Sequence, residues 1–280
     1  MLTDVLVPVL AYPDGTDANS APGLEVILDA FATHVTYCGV EIEAPDLSEW
    51  WARALVSPAQ IKGRADHRNH RIAAGLFATS PRLNTNVSVE RLTVRAPLGS
   101  YGQTVAQTAR NYDLTALSLK RGSVEQAALA EDIIFGSRRP LLVAPEVIEN
   151  SRDLSRIALV WEGTRTSSRA LHDSMPLLQK ATEVIVLAVY GATPAPMTGI
   201  EAVVGYLERH GLKPRLVEVK LDATNIGCAL QDAAASEQAG MLVMGAYGPN
   251  GDNRVRELIL GGPPNTGFSF GPAMTTFFSN

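Results

Sequence analysis

The sequence predicts an α/β protein made of two consecutive halves, each containing a doubly wound, largely parallel sheet. Short apolar runs rich in β-branched residues alternate with stretches in which apolar residues recur every three or four positions. The alternation runs through about half of the chain, stops at a short polar segment, and then starts again. A chain of 280 residues is long enough for two domains that each bury a core.

The first half, residues 1–149, has five predicted strands with helices between them. Its first strand is apolar and ends at a turn-prone segment that contains Pro13 and Gly15. Its third strand alternates apolar and polar positions, as a strand with one buried face does. The predicted strands are Val5–Leu10, Val35–Ile42, Asn86–Val94, Leu114–Leu119 and Arg139–Pro145. The predicted helices are Leu24–Ala32, Glu49–Thr79 in two pieces, Leu98–Tyr112 with the Ser100 hydroxyl as its cap, and Ser123–Ser137.

The second half, residues 150–280, repeats this order after the polar segment Val147–Asp153. Gly211 is predicted to end the helix that precedes it. The predicted strands are Ile157–Trp161, Glu183–Val189, Pro214–Leu221, Met241–Met244 and Ala273–Phe278. The predicted helices are Thr166–Leu178, Ile200–His210 and Ile226–Gln238.

An internal repeat indicates where a ligand would bind. Ala106–Leu119 in the first half aligns with Gln231–Met244 in the second. Helices between consecutive strands require right-handed parallel crossovers, so each half is expected to be doubly wound. Such sheets bind ligands beyond the carboxyl ends of their strands, where the strand order reverses. In the second half the first and fourth strands end at Glu162 and Gly245.

The segment after the fourth strand of the second half has the pattern of a phosphate-binding loop. Met241–Met244 is followed by Gly245 and Gly248, and the pair Gly261 and Gly262 comes after a helix-like stretch. Glycines let main-chain N–H groups approach a phosphate closely, because no side chain stands in the way. A Gly-x-x-Gly pair by itself is more often a plain turn, so the pattern gains meaning only together with the rest of the chain.

Composition and charge exclude several classes of protein. A net charge of −5 and a pI near 5.6 argue against an extended nucleic-acid-binding surface. The two cysteines, Cys38 and Cys228, are far apart, which suits a reducing compartment and small core residues rather than a disulfide framework or a cysteine metal site. No apolar run approaches the roughly 20 residues that cross a bilayer. We therefore expect a cytoplasmic protein without a membrane or nucleic-acid partner.

Other candidate catalytic and metal-binding groups have simpler interpretations. His67 and His70 would share a helix face, but no third ligand accompanies them. The pair His172–Asp173 lies on a helix flank with no serine placed beside it. The first half has Lys120–Arg121 after its fourth strand in place of a glycine loop, and a solvated strand end is the commoner explanation. We predict no catalytic residue and no metal site, and therefore not an enzyme.

The whole chain resembles two universal stress protein domains in tandem. Val160–Thr164 is similar to the end of that family's first strand, and Arg139–Pro145 is similar to its closing strand. Leu242–Gly248 with Arg254–Gly262 is similar to its nucleotide loop, in which nine residues separate a Gly-x-x-Gly pair from a second glycine motif. The resemblance implies flavodoxin-like domains of the adenine nucleotide alpha hydrolase type, each with a five-stranded parallel-type sheet, packed as a pseudo-dimer.

The resemblance also implies a nucleotide site in the second half. In ATP-binding members, an acidic residue after the first strand and an aliphatic residue at the end of the second hold the adenine and the ribose. The glycine loop holds the phosphates, so ATP with Mg²⁺ is the implied ligand. Carried over to this sequence, the positions are Glu162, Val189, Gly245, Gly248, Gly261 and Gly262.

Three features depart from the family pattern. Glu162 is one methylene longer than the usual Asp. Twelve residues rather than nine separate Gly248 from Gly261, and Asp252 in the excess segment puts a negative charge where phosphates would lie. Pro263–Pro272 then follows, and its prolines and glycines disfavour the helix whose N-terminal N–H groups would face the phosphates.

The resemblance, together with these departures, implies a stress-type regulatory protein that binds ATP or AMP weakly in its second half and acts by binding rather than turnover. Two alternatives stay open: a nucleotide-independent interaction scaffold with an unknown protein partner, and a slow ATP hydrolase for which we can name no general base. The tail Ala273–Phe278 is a suitable hydrophobic edge for pairing with Leu141–Ala144, so we expect an intramolecular pseudo-dimer, and a homodimer is also possible.

Overall fold

The computed structural model describes residues 2–10, 22–43, 83–84, 86–97, 99–119, 123–145, 154–190, 199–220, 226–247 and 274–280. These ranges contain ten strands and six helices. The strands are β1 (Leu2–Leu10), β2 (Ala32–Glu43), β3 (Ser88–Pro97), β4 (Leu114–Leu119), β5 (Leu141–Pro145), β6 (Arg156–Trp161), β7 (Glu183–Tyr190), β8 (Pro214–Lys220), β9 (Met241–Gly245) and β10 (Thr275–Ser279). The helices are α1 (Pro22–Phe31), α2 (Tyr101–Ala109), α3 (Val124–Ser137), α4 (Arg165–Leu178), α5 (Ile200–Arg209) and α6 (Ile226–Ser236).

The ten strands form one sheet in the order β3-β2-β1-β4-β5-β10-β9-β6-β7-β8. Read outward from the centre, each half therefore has the same order: fifth, fourth, first, second and third strand. Neighbouring strands within each half are parallel, and only the central pair, β5 and β10, is antiparallel. The predicted α/β fold with largely parallel, doubly wound sheets is confirmed.

The central pair joins the two halves through main-chain hydrogen bonding between β5 and β10. Opposite Thr276, Phe277 and Phe278 on β10 lie residues 143, 142 and 141 of β5. The predicted pairing of residues 273–278 with residues 141–144 is thus confirmed. The predicted domain boundary at 149/150 falls outside the described residues and stays a prediction.

The core lies on both faces of the sheet because successive side chains of a strand point to opposite faces. On β6, Ile157 and Leu159 belong to one buried cluster, whereas Ala158 and Val160 belong to the other. Helices α1, α4 and α5 cover the face of the first cluster, and α2, α3 and α6 cover the opposite face. None of the helices within the described ranges is long and apolar enough to span a membrane.

Most predicted elements are found, with ends that differ by a few residues. The strand predicted from Asn86 begins at Ser88, and the helix predicted to reach Tyr112 ends at Ala109. Burial of Cys38 in the core is confirmed, and this burial raises the pKa of its thiol to about 12, so the thiol is unreactive near neutral pH. The helix predicted at 49–79 and the linker at 147–153 lie outside the described residues.

The prediction that the Ser100 hydroxyl caps α2 is wrong. The side chain of Ser100 makes no capping hydrogen bond, and its φ and ψ of −137° and 16° differ from the extended backbone of a typical N-cap. Its main-chain carbonyl instead accepts hydrogen bonds from the N–H and the hydroxyl of Thr104. Ser123 does cap α3, because its Oγ accepts a hydrogen bond from the N–H of Gln126 at 3.3 Å.

A network of ion pairs and hydrogen bonds links the amino ends of β6, β7 and β8 in the second half. Glu183 at the start of β7 accepts a hydrogen bond from Nε of Arg215 on β8 and forms an ion pair with Arg156 on β6, both at 2.8 Å. Arg215 also contacts Glu237, just after α6, at 2.7 Å. The hydrogen bond from Arg215 is the main cause that holds the pKa of the Glu183 carboxyl below its usual range.

We expect Glu183→Gln to lower the free energy of unfolding by roughly 0.5–1 kcal/mol near pH 7, since partly exposed ion pairs contribute about this much. The folded-state pKa of Glu183 is depressed, so its contribution is present above the unfolded value of about 4.3 and is lost as the pH falls through the folded value. Urea unfolding at pH 7, 5 and 3.5 should therefore show the two proteins converging in acid. Glu218→Gln, at an exposed position of β8, is the control. An equal loss at all three pH values would contradict this assignment.

Candidate functional site

The strand order of the second half reverses between β6 and β9, and we call the region beyond their carboxyl ends the crevice. From β6 the chain passes through α4 to β7 on one side, and it later reaches β9 on the other side. Ile157 and Leu159 of β6 pair in parallel with Met241 and Val243 of β9. This is the switch point at which doubly wound sheets bind their ligands.

Glu162 and Val189 lie at the same level of two adjacent strands. Trp161 of β6 and Ala188 of β7 are the last residues that these two strands pair with each other, and Glu162 and Val189 directly follow them. Glu162 comes after the end of β6, whereas Val189 is still within β7, where it pairs with Val219 of β8, so the predicted end of this strand at Val189 falls one residue short. The side chain of Glu162 is partly buried, and its Oε2 atom is shielded from solvent. Val189 is partly buried against the core cluster that contains Val160. The structure thus brings together a carboxylate and an aliphatic side chain that sequence reasoning assigned to one site.

Gly245 is the last residue of β9 rather than the first residue of the loop. It pairs with Ser279 of β10, and the next N–H, that of Ala246, donates to the Ser279 carbonyl at 2.8 Å. A Cβ on Gly245 would lie 2.8 Å from both Cβ and Oγ1 of Thr166 in the first turn of α4. The close approach of α4 therefore requires glycine here, and the N–H of Ala246 is already used within the fold.

The N-terminus of α4 lies beside β9 in the crevice, and its own side chains cap it. Thr164 Oγ1 accepts from the N–H of Ser167 at 3.1 Å, and Ser167 Oγ accepts from the N–H of Thr164 at 3.0 Å. The hydroxyl of Thr166 donates to the carbonyl of Tyr247 at 2.9 Å. An anion that approached this helix end would compete with a complete capping box.

The remaining predicted phosphate contacts lie outside the described residues. These are Gly248, Gly261 and Gly262, together with the excess segment 249–253 and the proline-rich stretch 263–272. The same is true of His67, His70 and Lys120–Arg121. Their assignments stay predictions.

Tyr247, the aromatic residue inside the glycine pattern, makes a contact that sequence reasoning missed. Its ring stacks on the ring of Phe135 in α3, with centroids 4.7 Å apart and planes 28° apart. Phe135 belongs to the first half of the chain and Tyr247 to the second. The contact depends on how the two halves are placed across the β5–β10 pair, so no local pattern signals it.

The polar groups on α4 do not form a catalytic dyad. His172 lies on the surface with its Nδ1 3.2 Å from the hydroxyl of Tyr206. Asp173 instead accepts hydrogen bonds from Arg169 at 2.8 Å and from the hydroxyl of Ser279 at 2.6 Å. Asp173 thus links α4 to β10 by a hydrogen bond. This structural role agrees with the interpretation that the His172–Asp173 pair is not catalytic.

A second polar cluster lies at the amino ends of β2 and β3 in the first half. The imidazole of His34 on β2 has its Nδ1 2.6 Å from Ser88 Oγ and its Nε2 3.4 Å from Glu90 Oε2. This is the order of groups in a hydrolytic triad, but Ser88 also lies within 3.3 Å of the Thr33 carbonyl and both β3 residues are exposed. Water is not excluded there, so the cluster is better explained as a polar cross-strand contact.

Comparison with known proteins agrees with this architecture. No protein-family model and no curated protein matches the chain. A solved universal stress protein from Archaeoglobus fulgidus DSM 4304 covers 99% of this chain and 96% of its own, with a TM-score of 0.58 and 11% identity. A functionally unknown protein from Pseudomonas aeruginosa PAO1 covers 98% of this chain and 92% of its own, with a TM-score of 0.48 and 12% identity.

The strand order defines a doubly wound α/β protein whose second half has a switch point between β6 and β9. More particularly, the chain shares the fold of a universal stress protein over nearly its whole length. At 11% identity this likeness concerns the fold alone.

We expect Gly245→Ala to lower the free energy of unfolding by about 1–3 kcal/mol, because the added methyl group overlaps the first turn of α4. Urea unfolding measures the change. Gly99→Ala is the matched control, since a Cβ there meets nothing within 4 Å, and we expect it to stay within about 0.5 kcal/mol of the parent. A fully stable Gly245→Ala would mean that the glycine is not required by packing.

Proposed function

We propose that this protein is a regulatory protein of the universal stress type that binds an adenine nucleotide weakly in the crevice of its second half. The single observation that carries the proposal is that Glu162, Val189 and Gly245 lie at or next to the carboxyl ends of β6, β7 and β9, which are consecutive strands of the sheet. These are three of the positions that the family resemblance implies, and they meet at the switch point of the sheet.

The chemistry of the crevice residues fits a nucleoside better than it fits a phosphate group. The carboxylate of Glu162 can accept hydrogen bonds from ribose hydroxyls, and Val189 offers an apolar contact for a base. In contrast, the N–H groups of Thr164 and Ser167 are used by the capping box and that of Ala246 by Ser279. Phosphates would depend on the loop beyond Tyr247, which is the reason for proposing weak binding.

We propose binding rather than turnover. Among the described crevice residues 161–166, 189 and 245–247, Glu162 is the one carboxylate, and the role assigned to it is to hold the ribose. Mg²⁺ would enter with the phosphates of ATP, which are its usual partners in nucleotide sites.

A nucleotide-independent interaction scaffold is the second candidate, and one observation favours it. Gly245 and the N–H of Ala246 have complete explanations in the packing of α4 and the pairing of β10. The described part of the glycine pattern would therefore be retained even if no ligand bound. Under this reading the protein acts through a protein partner on its surface.

We expect millimolar Mg-ATP to raise the unfolding midpoint of the parent protein, because a ligand at a hundred times its dissociation constant adds about 2.7 kcal/mol to stability. Glu162→Gln should weaken the affinity about tenfold, since a charged acceptor is lost. Scanning fluorimetry gives the midpoint and titration calorimetry the affinity.

The matched control for this test is Glu201→Gln, an exposed carboxylate in the first turn of α5, which should bind like the parent. A valine at position 245 would be a poor test, because the overlap with Thr166 would unfold the site whether or not it binds nucleotide. No midpoint shift in the parent, or an identical affinity in Glu162→Gln, would reject the proposed site and favour the scaffold.

We expect deletion of Asn250–Asp252 to strengthen the binding of Mg-ATP, because it restores nine residues between Gly248 and Gly261 and removes the charge of Asp252. The affinities of the deletion variant and the parent are compared by calorimetry. Asp252→Asn alone separates the effect of charge from that of length. Under the scaffold reading, neither change would produce any nucleotide binding.

A further inference from the structure

The contact between Phe135 and Tyr247 connects the first half to the crevice of the second. Phe135 lies near the end of α3, which follows β4 of the first half, and Tyr247 stands two residues after the end of β9. Their rings are stacked with centroids 4.7 Å apart. Stacked aromatic pairs stabilise a contact beyond the area that they bury.

The second half fixes the main chain at this point. The hydroxyl of Thr166 donates to the Tyr247 carbonyl at 2.9 Å, and the N–H of Ala246 donates to the Ser279 carbonyl at 2.8 Å. Ser279 in turn donates through its hydroxyl to Asp173 of α4 at 2.6 Å. The main chain at the exit of β9 is thus held by α4 and β10, while the ring of Tyr247 is held by α3.

The helix end that carries Phe135 is itself firmly anchored in the first half. Ile133 and Ile134 are fully buried, and a Cβ on Gly136 would lie 2.9 Å from the Cβ of Ala106 in α2. The guanidinium of Arg110 donates to the Gly136 carbonyl through Nε at 3.2 Å and Nη2 at 2.9 Å. Phe135 therefore presents its ring from a rigid support.

We infer that Phe135 is a positioning residue that the first half supplies to the crevice of the second half. It acts through Tyr247, because the ring stack helps to set the direction in which the chain leaves β9 toward the glycine pattern. The first half, which has no glycine pattern of its own after β4, serves as the support for the one in the second half. The expected effect of Phe135 on nucleotide affinity rests on the proposed function. Its expected effect on the ordering of the main chain at Ala246 and Tyr247, directly after β9, does not.

The test measures amide hydrogen exchange without nucleotide and Mg-ATP affinity in the same set of full-length variants. Phe135→Ala removes the stack, and Phe135→Leu keeps apolar volume while losing the aromatic pair. We expect both to speed exchange at Ala246 and Tyr247 by about threefold to tenfold and to weaken Mg-ATP binding by a similar factor. Phe135→Tyr should restore parent behaviour in both measurements, because it keeps the ring.

Val124→Ala, at an exposed position of the same helix, is the matched control and should change neither measurement. Amide exchange at residues 275–278 of the central strand β10 reports on destabilisation of the whole fold. It should stay at the parent rate in Phe135→Leu. Faster exchange confined to Ala246 and Tyr247 supports the inference even if the parent binds no nucleotide, an outcome that rejects the proposed function alone. Parent-like exchange in both Phe135→Ala and Phe135→Leu would overturn the inference, whatever the nucleotide affinity.

Discussion

The antiparallel pairing of β5 with β10 is the interaction on which the rest of the structure depends. Each half has its fifth strand at the centre of the molecule, where it would otherwise expose unpaired main-chain groups. Pairing satisfies these groups and buries Phe277 and Phe278, whose side chains point into the two opposite cores. The same pairing places α3 of one half beside the end of β9 in the other, which makes the Phe135–Tyr247 contact possible.

Gly245 shows how a residue that a family resemblance assigns to a binding site can be required by packing. Gly245 admits the first turn of α4, and the same close approach brings the Thr166 hydroxyl to the Tyr247 carbonyl. A glycine kept for packing and a glycine kept for a phosphate look the same in a sequence. Only the distances around it distinguish them, and here they favour packing for Gly245.

Much of the fold could be predicted because the strands are short, apolar and regularly spaced. The pairing of the tail with the fifth strand of the first half, seen at residues 276–278 and 141–143, was predictable from the hydrophobic tail together with the family resemblance. The cap at Ser100 was not, because hydroxyl capping depends on a local φ and ψ that residue type does not determine. The Phe135–Tyr247 stack could not be predicted either, since the two residues are 112 positions apart and meet only across the central pair. Topology indicated the positions of Glu162 and Gly245, and the family resemblance added Val189. Ligand affinity does not follow from these positions, because it depends on contacts that residue type and strand order do not determine.

The unbroken ladder of ten strands also limits how this molecule can move. Two α/β halves joined by a loop alone could rotate about it and close on a ligand, as hinged proteins do. Here rotation would have to break the hydrogen bonds between β5 and β10 and expose two phenylalanines. The halves must therefore behave mechanically as one body. A bound molecule would act on a partner by changing the shape or charge of the surface at the strand ends, not by domain closure.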